Sequence, residues 1–165
     1  MSNYQLFLRD QDTHNYIKNC IGKVFNDIGK TIDIDKMVFE YQPMGHGTPK
    51  FNKSNMYIYS FWFDGEDVPL KIGKAGSKTE SRYKYHHYNK NSVGSCLAKS
   101  IAADTAFCNK NSIDTDTEPL KKWIKANCHR LNIIMPNNPQ NGYDMFTLEL
   151  IEAILHNIYR PKYEG

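Results

Sequence analysis

Five side chains, widely separated along the chain, are of the types that together cut a phosphodiester: the Tyr57 phenol, the Lys71 amine, the Arg82 guanidinium, the His86 imidazole and the Glu152 carboxylate. Water is a poor nucleophile at neutral pH, so such a reaction needs a base to take its proton. It also needs donors on the phosphate oxygens, where charge builds up in the transition state, and a guanidinium makes paired hydrogen bonds there. A carboxylate can hold a divalent cation that polarises the phosphate, and magnesium prefers such oxygen ligands. Each residue also has an ordinary reading. Tyr57 fits a packed hairpin aromatic, Lys71 a solvated strand end, and Arg82 with His86 an exposed helix face. Glu152 fits a surface acid, with Glu149 one turn earlier as its competitor. What separates the two readings is the order of the set and the elements that carry it.

Residues 56–63 and 68–72 are runs of aromatic and apolar β-formers, joined by the acidic turn Asp64-Gly65-Glu66-Asp67. That is a hairpin pattern. Period-two alternation puts Tyr57, Tyr59, Phe61 and Phe63 on one face, and Ile58 and Trp62 on the other. Gly73-Lys74-Ala75-Gly76-Ser77 then leaves the second strand, with residues small enough to let the backbone pass close to a phosphate. Ser77 or Thr79 caps a helix in which Arg82 and His86, four residues apart, share a face. Residues 95–106 read as helical. Thr117-Glu118-Pro119 opens another helix with proline just inside its start. Residues 131–135 form a third strand, stopped by Pro136. Residues 146–159 are the clearest helix, with Leu148, Ile151, Leu155 and Ile158 on its core stripe and Glu152 beside them. Upstream, Asp12-Thr13 caps a helix reaching Ile28-Gly29, and residues 37–41 suit a short strand.

The ordered set resembles the GIY-YIG nuclease superfamily. There a first strand carries a tyrosine and a second ends in a Tyr-Ile-Gly or similar triplet. A helix follows with an arginine and often a histidine one turn on. A later helix supplies a metal-binding glutamate, followed by a proline and often an asparagine. Here Tyr57 matches the first tyrosine and Lys71-Ile72-Gly73 the triplet. Arg82 and His86 match the arginine and its partner, Glu152 the glutamate, and Pro161, nine residues on, the proline. The resemblance covers residues 55–165. The chain departs from it in three places. Asn55-Met56-Tyr57 lacks the glycine of the first triplet. Lys71 replaces the second tyrosine, in which the chain is similar to some restriction enzymes of the superfamily. Glu164 stands where asparagine is usual.

The resemblance implies a metal-dependent endonuclease that hydrolyses DNA, or RNA, of the restriction type or of phage or mobile-element origin. It implies Tyr57 as the base. A phenol with pKa near 10 is mostly protonated at pH 7, so Lys71 must help. An amine beside Arg82 and a metal has a lowered pKa. Arg82 then pairs with the phosphate, and Glu152 holds one magnesium or manganese ion per active site. His86 binds the phosphate or gives a proton to the leaving group. Lys74, Lys78 and Lys84 contact the substrate backbone, and His129-Arg130, at a strand start, is a further candidate contact. One site per chain makes a double-strand cut a task for two chains, hence a homodimer.

Charge distribution points the same way. From residue 71 to 90 stand Lys71, Lys74, Lys78, Arg82, Lys84 and Lys90 against one acid, Glu80. This gives +5, while the whole chain is +3 and the remainder therefore −2. Tyr83, Tyr85, His86, His87 and Tyr88 are interleaved with these cations, a combination that attracts a polyanion and can stack on bases. Cys20, Cys96, Cys108 and Cys128 form no CxxC pair, which argues for reduced thiols and against a zinc site. No apolar run of membrane-spanning length occurs. Met1-Ser2-Asn3-Tyr4-Gln5 lacks a signal pattern, so a cytoplasmic location is expected.

The expected fold is α/β: a small, mainly antiparallel three-stranded sheet flanked by helices. Residues 1–54 form a mainly helical extension and residues 55–165 the nuclease-like domain. Sequence recognition falls to the first 50 residues and to residues 89–116. A catalytically inactive nucleic-acid-binding module on the same fold is the alternative, supported by the missing glycine and by Lys71. It predicts binding without cleavage. A structural or inhibitor protein with an aromatic surface predicts no salt-sensitive binding.

Overall fold

The computed structural model describes residues 8–164; Met1 to Gln5, read above for a signal pattern, lie outside them. The hairpin forms where the β-prone runs predict it. Strand β2 (Asn55–Phe63) pairs antiparallel with β3 (Lys71–Ala75), Tyr57 opposite Ala75, Tyr59 opposite Gly73 and Phe61 opposite Lys71. The second strand thus begins later than residue 68 and runs through Gly73 and Lys74 instead of ending before them. The cause lies in the connection: Glu66 N–H bonds Phe63 O, and pairing resumes only where Leu70 N–H bonds Phe61 O, leaving residues 64–69 to the turn.

The sheet has four antiparallel strands, not three, in the order β1 (Val38–Gln42), β4 (Cys128–Pro136), β2, β3. Strand β4 is nine residues long and central. On one side it pairs with β2, Tyr59 opposite Asn132. On the other it pairs with β1, Glu40 opposite Asn132. An unpaired edge on so long a strand would leave a row of backbone groups open, and the N-terminal segment supplies the missing strand.

Alternation along β2 sends Tyr57, Tyr59 and Phe61 into one core, and Met56 and Ile58 into a second. The second core is covered by α1 (Gln11–Asp27) through Ile17, Ile21 and Phe25, and by the last helix, Met145–Tyr159, through Leu148, Ile151 and Leu155. Helix α1 is capped by Asp10, which accepts from the Asp12 and Thr13 N–H groups, so the cap lies just upstream of Asp12-Thr13. The first core is covered by shorter pieces: α2 (Glu80–Lys84), α3 (Leu97–Ala103), α4 (Thr105–Lys110) and α5 (Thr117–Asn127). The Met145–Tyr159 helix is α6. The helix expected over residues 95–106 is therefore two, broken at Asp104, whose carboxylate caps α4 through Phe107 N–H at 2.9 Å. Among the described residues no helix is long and apolar enough to cross a membrane, and all four cysteines are free.

After α6 the chain turns at Arg160, in the left-handed region at φ 45°. Lys162 and Tyr163 N–H then bond the carbonyls of Pro69 and Leu70, each at 2.9 Å. The tail is thereby fastened to the start of β3, the edge strand on which the candidate site is built.

Candidate active site

Lys71 opens β3 on the side of the first core and is only 2% exposed. Its ammonium donates to Ser95 Oγ at 2.9 Å and to the Tyr163 carbonyl at 3.3 Å, both neutral oxygens. Burial holds its pKa below the usual 10.5. Arg82 acts in the same direction, and Cys96 and Glu152 against it. An ammonium buried with no carboxylate among its hydrogen-bond partners is the cause of that downward shift.

Two residues along, Gly73 lies under the ring of Tyr59. A Cβ at position 73 would meet that ring at 2.8 Å, so only glycine fits beneath the phenol. The Tyr59 hydroxyl is 2.7 Å from His87 Nε2 and 3.3 Å from the Lys74 carbonyl. His87 Nδ1 accepts the Leu97 N–H at 3.2 Å, which leaves its proton on Nε2. The imidazole therefore donates to the Tyr59 oxygen, and the phenol donates to Lys74 O. Burial holds the pKa of His87 well below its usual value, with Arg130 adding to the effect, so the ring is neutral. Burial pushes the Tyr59 phenol up to about 12. Arg82 and Arg130 pull it down, and Glu152 pushes it further up.

Arg82 is exposed on α2, while His86 begins a separate 3-10 turn, His86–Tyr88. The single helix expected to carry both residues on one face is thus interrupted at Tyr85. The Tyr83 carbonyl, which a continuing helix would pair with His87 N–H, accepts instead from Arg130 Nη2 at 3.0 Å. Burial lowers the pKa of His86 and Arg82 lowers it further. A neutral His86 at pH 7 suits contact with phosphate or proton acceptance better than donation to a leaving group.

Glu152 approaches from α6. Its Oε2 accepts from Lys74 Nζ at 2.5 Å, and both side chains are partly buried. Glu149 is exposed, so of the two acids it is Glu152 that joins the group. Lys71, Lys74, Arg82, His86 and Glu152 are brought together around β3, with Tyr59 among them.

Tyr57 is placed differently. Its hydroxyl accepts the Asn52 N–H at 2.6 Å and faces the Asn52 carbonyl at 3.3 Å, while its ring packs on Tyr83 and Phe51. The phenol that feels the charges of Arg82 and Glu152 is Tyr59, one pleat further along the same face. Alternation alone gives Tyr57 and Tyr59 equal standing; the β2–β3 register decides between them, and the sequence did not reveal it. Lys78 is exposed in the loop before α2, and Lys84 is paired with Glu80 at 2.6 Å. His129 and Arg130 are wholly buried, which removes them as direct substrate contacts. Arg130 instead underlies the site: its guanidinium lies 4.4 Å from the Tyr83 ring centroid and 4.9 Å from that of Tyr59, and bonds Asn132 Oδ1 at 2.8 Å.

Among the described residues no three His, Cys, Asp or Glu side chains converge as a metal cage. Magnesium keeps several waters and takes one or two protein carboxylates, whereas zinc wants three or four protein ligands. A single partly buried carboxylate whose present partner is a lysine fits the former. Comparison with known proteins gives no significant match to a family model, a curated protein or a solved structure.

Proposed function

We propose that the chain is a magnesium- or manganese-dependent endonuclease that hydrolyses DNA phosphodiesters, on a site of the GIY-YIG kind. The observation that carries this reading is the convergence on β3 of Lys71, Arg82 and Glu152, which come from three separate elements, around the Tyr59 phenol. Arg82, exposed, pairs with the non-bridging oxygens of the scissile phosphate. Lys71, whose pKa burial lowers, takes the proton of the attacking water in the fraction of molecules where its amine is neutral, since the Tyr59 phenol is pushed up to about 12. Tyr59 takes the place expected for Tyr57 and orients the attack through the hydrogen bond it receives from His87. His86, neutral, contacts the phosphate. A divalent ion on Glu152 would supply charge neutralisation at the phosphate and the leaving oxygen. A double-strand cut would take two chains.

The test is cleavage of supercoiled plasmid with magnesium or manganese by wild type, Glu152→Gln and Arg82→Ala. Cutting that EDTA and either substitution reduce at least a hundredfold supports the reading. A folded wild type that binds several DNAs and RNAs but cuts none of them would make the chain a nucleic-acid-binding module instead.

A further inference from the structure

The segment that carries Arg82 and His86 has a second side. Lys84, Tyr85 and Tyr88 line a cleft of about 240 Å³ whose facing wall is α5, with Glu118, Lys121 and Lys125. We propose that this cleft holds one nucleotide of the nucleic-acid strand, flanking the phosphate at Arg82, with its phosphate on the lysines and its base against the Tyr85 ring. The inference rests on the nuclease reading for the neighbouring role of Arg82.

Three ammonium groups face one carboxylate in the lining. Two of them are held only by surface pairs, Lys84 with Glu80 at 2.6 Å and Lys121 with Glu118 at 3.5 Å. Such pairs are worth little in water, so a phosphate displaces them at small cost. The third, Lys125, stands 5.4 Å above the Tyr88 ring. Tyr85 is 58% exposed, an aromatic plane that contributes little to the core and sits beside the cations. A carboxylate of an acidic peptide would use the lysines and leave that ring idle; a nucleotide uses both, since every base has a face to stack. The size agrees: sites that bury a whole free ligand run to roughly 300–1,000 Å³, and this cleft is smaller, suited to one unit of a polymer held elsewhere too.

The floor is rigid. The Tyr88 hydroxyl bonds His46 Nε2 at 2.8 Å and accepts from Arg130 Nη1 at 3.2 Å. Arg130 also holds the Tyr83 carbonyl and stacks on Tyr59, so one buried guanidinium braces both the cleft floor and the β3 cluster. Neither Lys121 nor Lys125 lies in the basic run of residues 71–90; the packing of α5 against the 3-10 turn brings them there.

The experiment is fluorescence anisotropy of a labelled single-stranded 15-mer with the full chain in EDTA, across 50–200 mM salt. The proteins are wild type, Tyr85→Ala, Tyr85→Trp and the double variant Lys121→Gln/Lys125→Gln, each checked for an unchanged melting temperature. Tyr85→Ala should weaken binding about tenfold without altering the salt slope, and Tyr85→Trp should restore it. The lysine pair should lower the slope by roughly 0.7 per lost phosphate contact. Binding and slopes equal to wild type in every variant overturn the cleft, as does equal competition by a polyglutamate peptide of the same charge. If the plasmid is never cut but Tyr85→Ala still weakens binding, the nuclease reading fails and the cleft stands. If the plasmid is cut and the cleft variants bind and cut normally, the cleft alone fails. A wild type that binds no nucleic acid removes both.

Discussion

Tyr59 and Gly73 face each other across β2 and β3, and the phenol lies flat over the glycine, so that a Cβ at 73 would come within 2.8 Å of the ring. The ring has no room to retreat. It sits at 0% exposure, edge-on to Tyr83 and His87, with its hydroxyl 2.7 Å from His87 Nε2. Gly73→Ala is therefore expected to cost about 1–3 kcal/mol, the usual penalty for overpacking a core, and to reduce cleavage more than Tyr85 or Lys78 substitutions do. Urea denaturation checks the first figure. A variant as stable and as active as wild type would mean that Tyr59 is not fixed in this position.

Lys74 and Glu152 form the ion pair that ties β3 to α6, Nζ to Oε2 at 2.5 Å. A divalent cation on Glu152 must compete with that ammonium. Lys74→Ala should tighten magnesium binding by about 1 kcal/mol, roughly fivefold, the upper range for a partly exposed pair. Isothermal titration at low salt measures it. Glu152→Gln should abolish the same heat. If Lys74→Ala leaves magnesium affinity unchanged, Glu152 is not the ligand.

Much of the architecture was legible in the sequence because it rests on periodicity. The alternation of residues 56–63 and the stripe of Leu148, Ile151 and Leu155 are local signals, and β2 and α6 lie within a residue of where they point. What stayed hidden depends on pairing across the chain. The edge position of Val38–Gln42 follows from β4 needing a second neighbour, which no local window contains. The choice of Tyr59 over Tyr57 follows from a register that the six-residue turn 64–69 offsets. Arg130 read as a strand-start cation for substrate; the structure buries it, with aromatic faces and neutral oxygens as partners. The set Lys71, Arg82, His86 and Glu152 was found from residue types and order, whereas Ser95, His87 and Lys121 had no such signal.

His46 is 7% exposed, and burial, with Arg130 next, lowers its pKa from 6.5 to about 4. In the unfolded chain the same ring takes its proton near 6.5. Between those values the unfolded state binds more protons, so stability falls as pH falls through the window. At pH 5 the loss is about 2 kcal/mol from this group, and His87, shifted in the same direction by burial, adds to it. Asp104 and Asp144, whose pKa values are lowered chiefly by the N–H groups they cap, lose their contribution only further down. Urea midpoints at pH 7 and pH 5 should therefore differ in wild type, and the difference should shrink in His46→Gln. An equal pH dependence in that variant would show that His46 carries its proton in the fold.

Lys71 follows the same sign at the alkaline end. Its folded pKa lies below the usual 10.5 because burial disfavours the ammonium. Below that folded value both states are protonated, and the folded state carries the full cost of a buried charge. Between the folded value and 10.5 the unfolded chain binds more protons, so the cost is relieved as pH rises. Lys71 bonds only neutral oxygens here, so its removal strands no opposite charge and relieves the desolvation cost of the ammonium. Lys71→Met should thus raise stability at pH 7 by about 1 kcal/mol while abolishing cleavage, and its advantage over wild type should narrow as pH approaches 10. Tyrosine ionisation is common to both proteins and cancels in the comparison. Paired urea titrations at pH 7, 8.5 and 9.5, read with plasmid cutting at the same values, test both halves. A Lys71→Met protein that is less stable at pH 7, or one that still cuts, would show that the bonds to Ser95 and Tyr163 matter more to the fold than the buried charge costs, or that the base is another group.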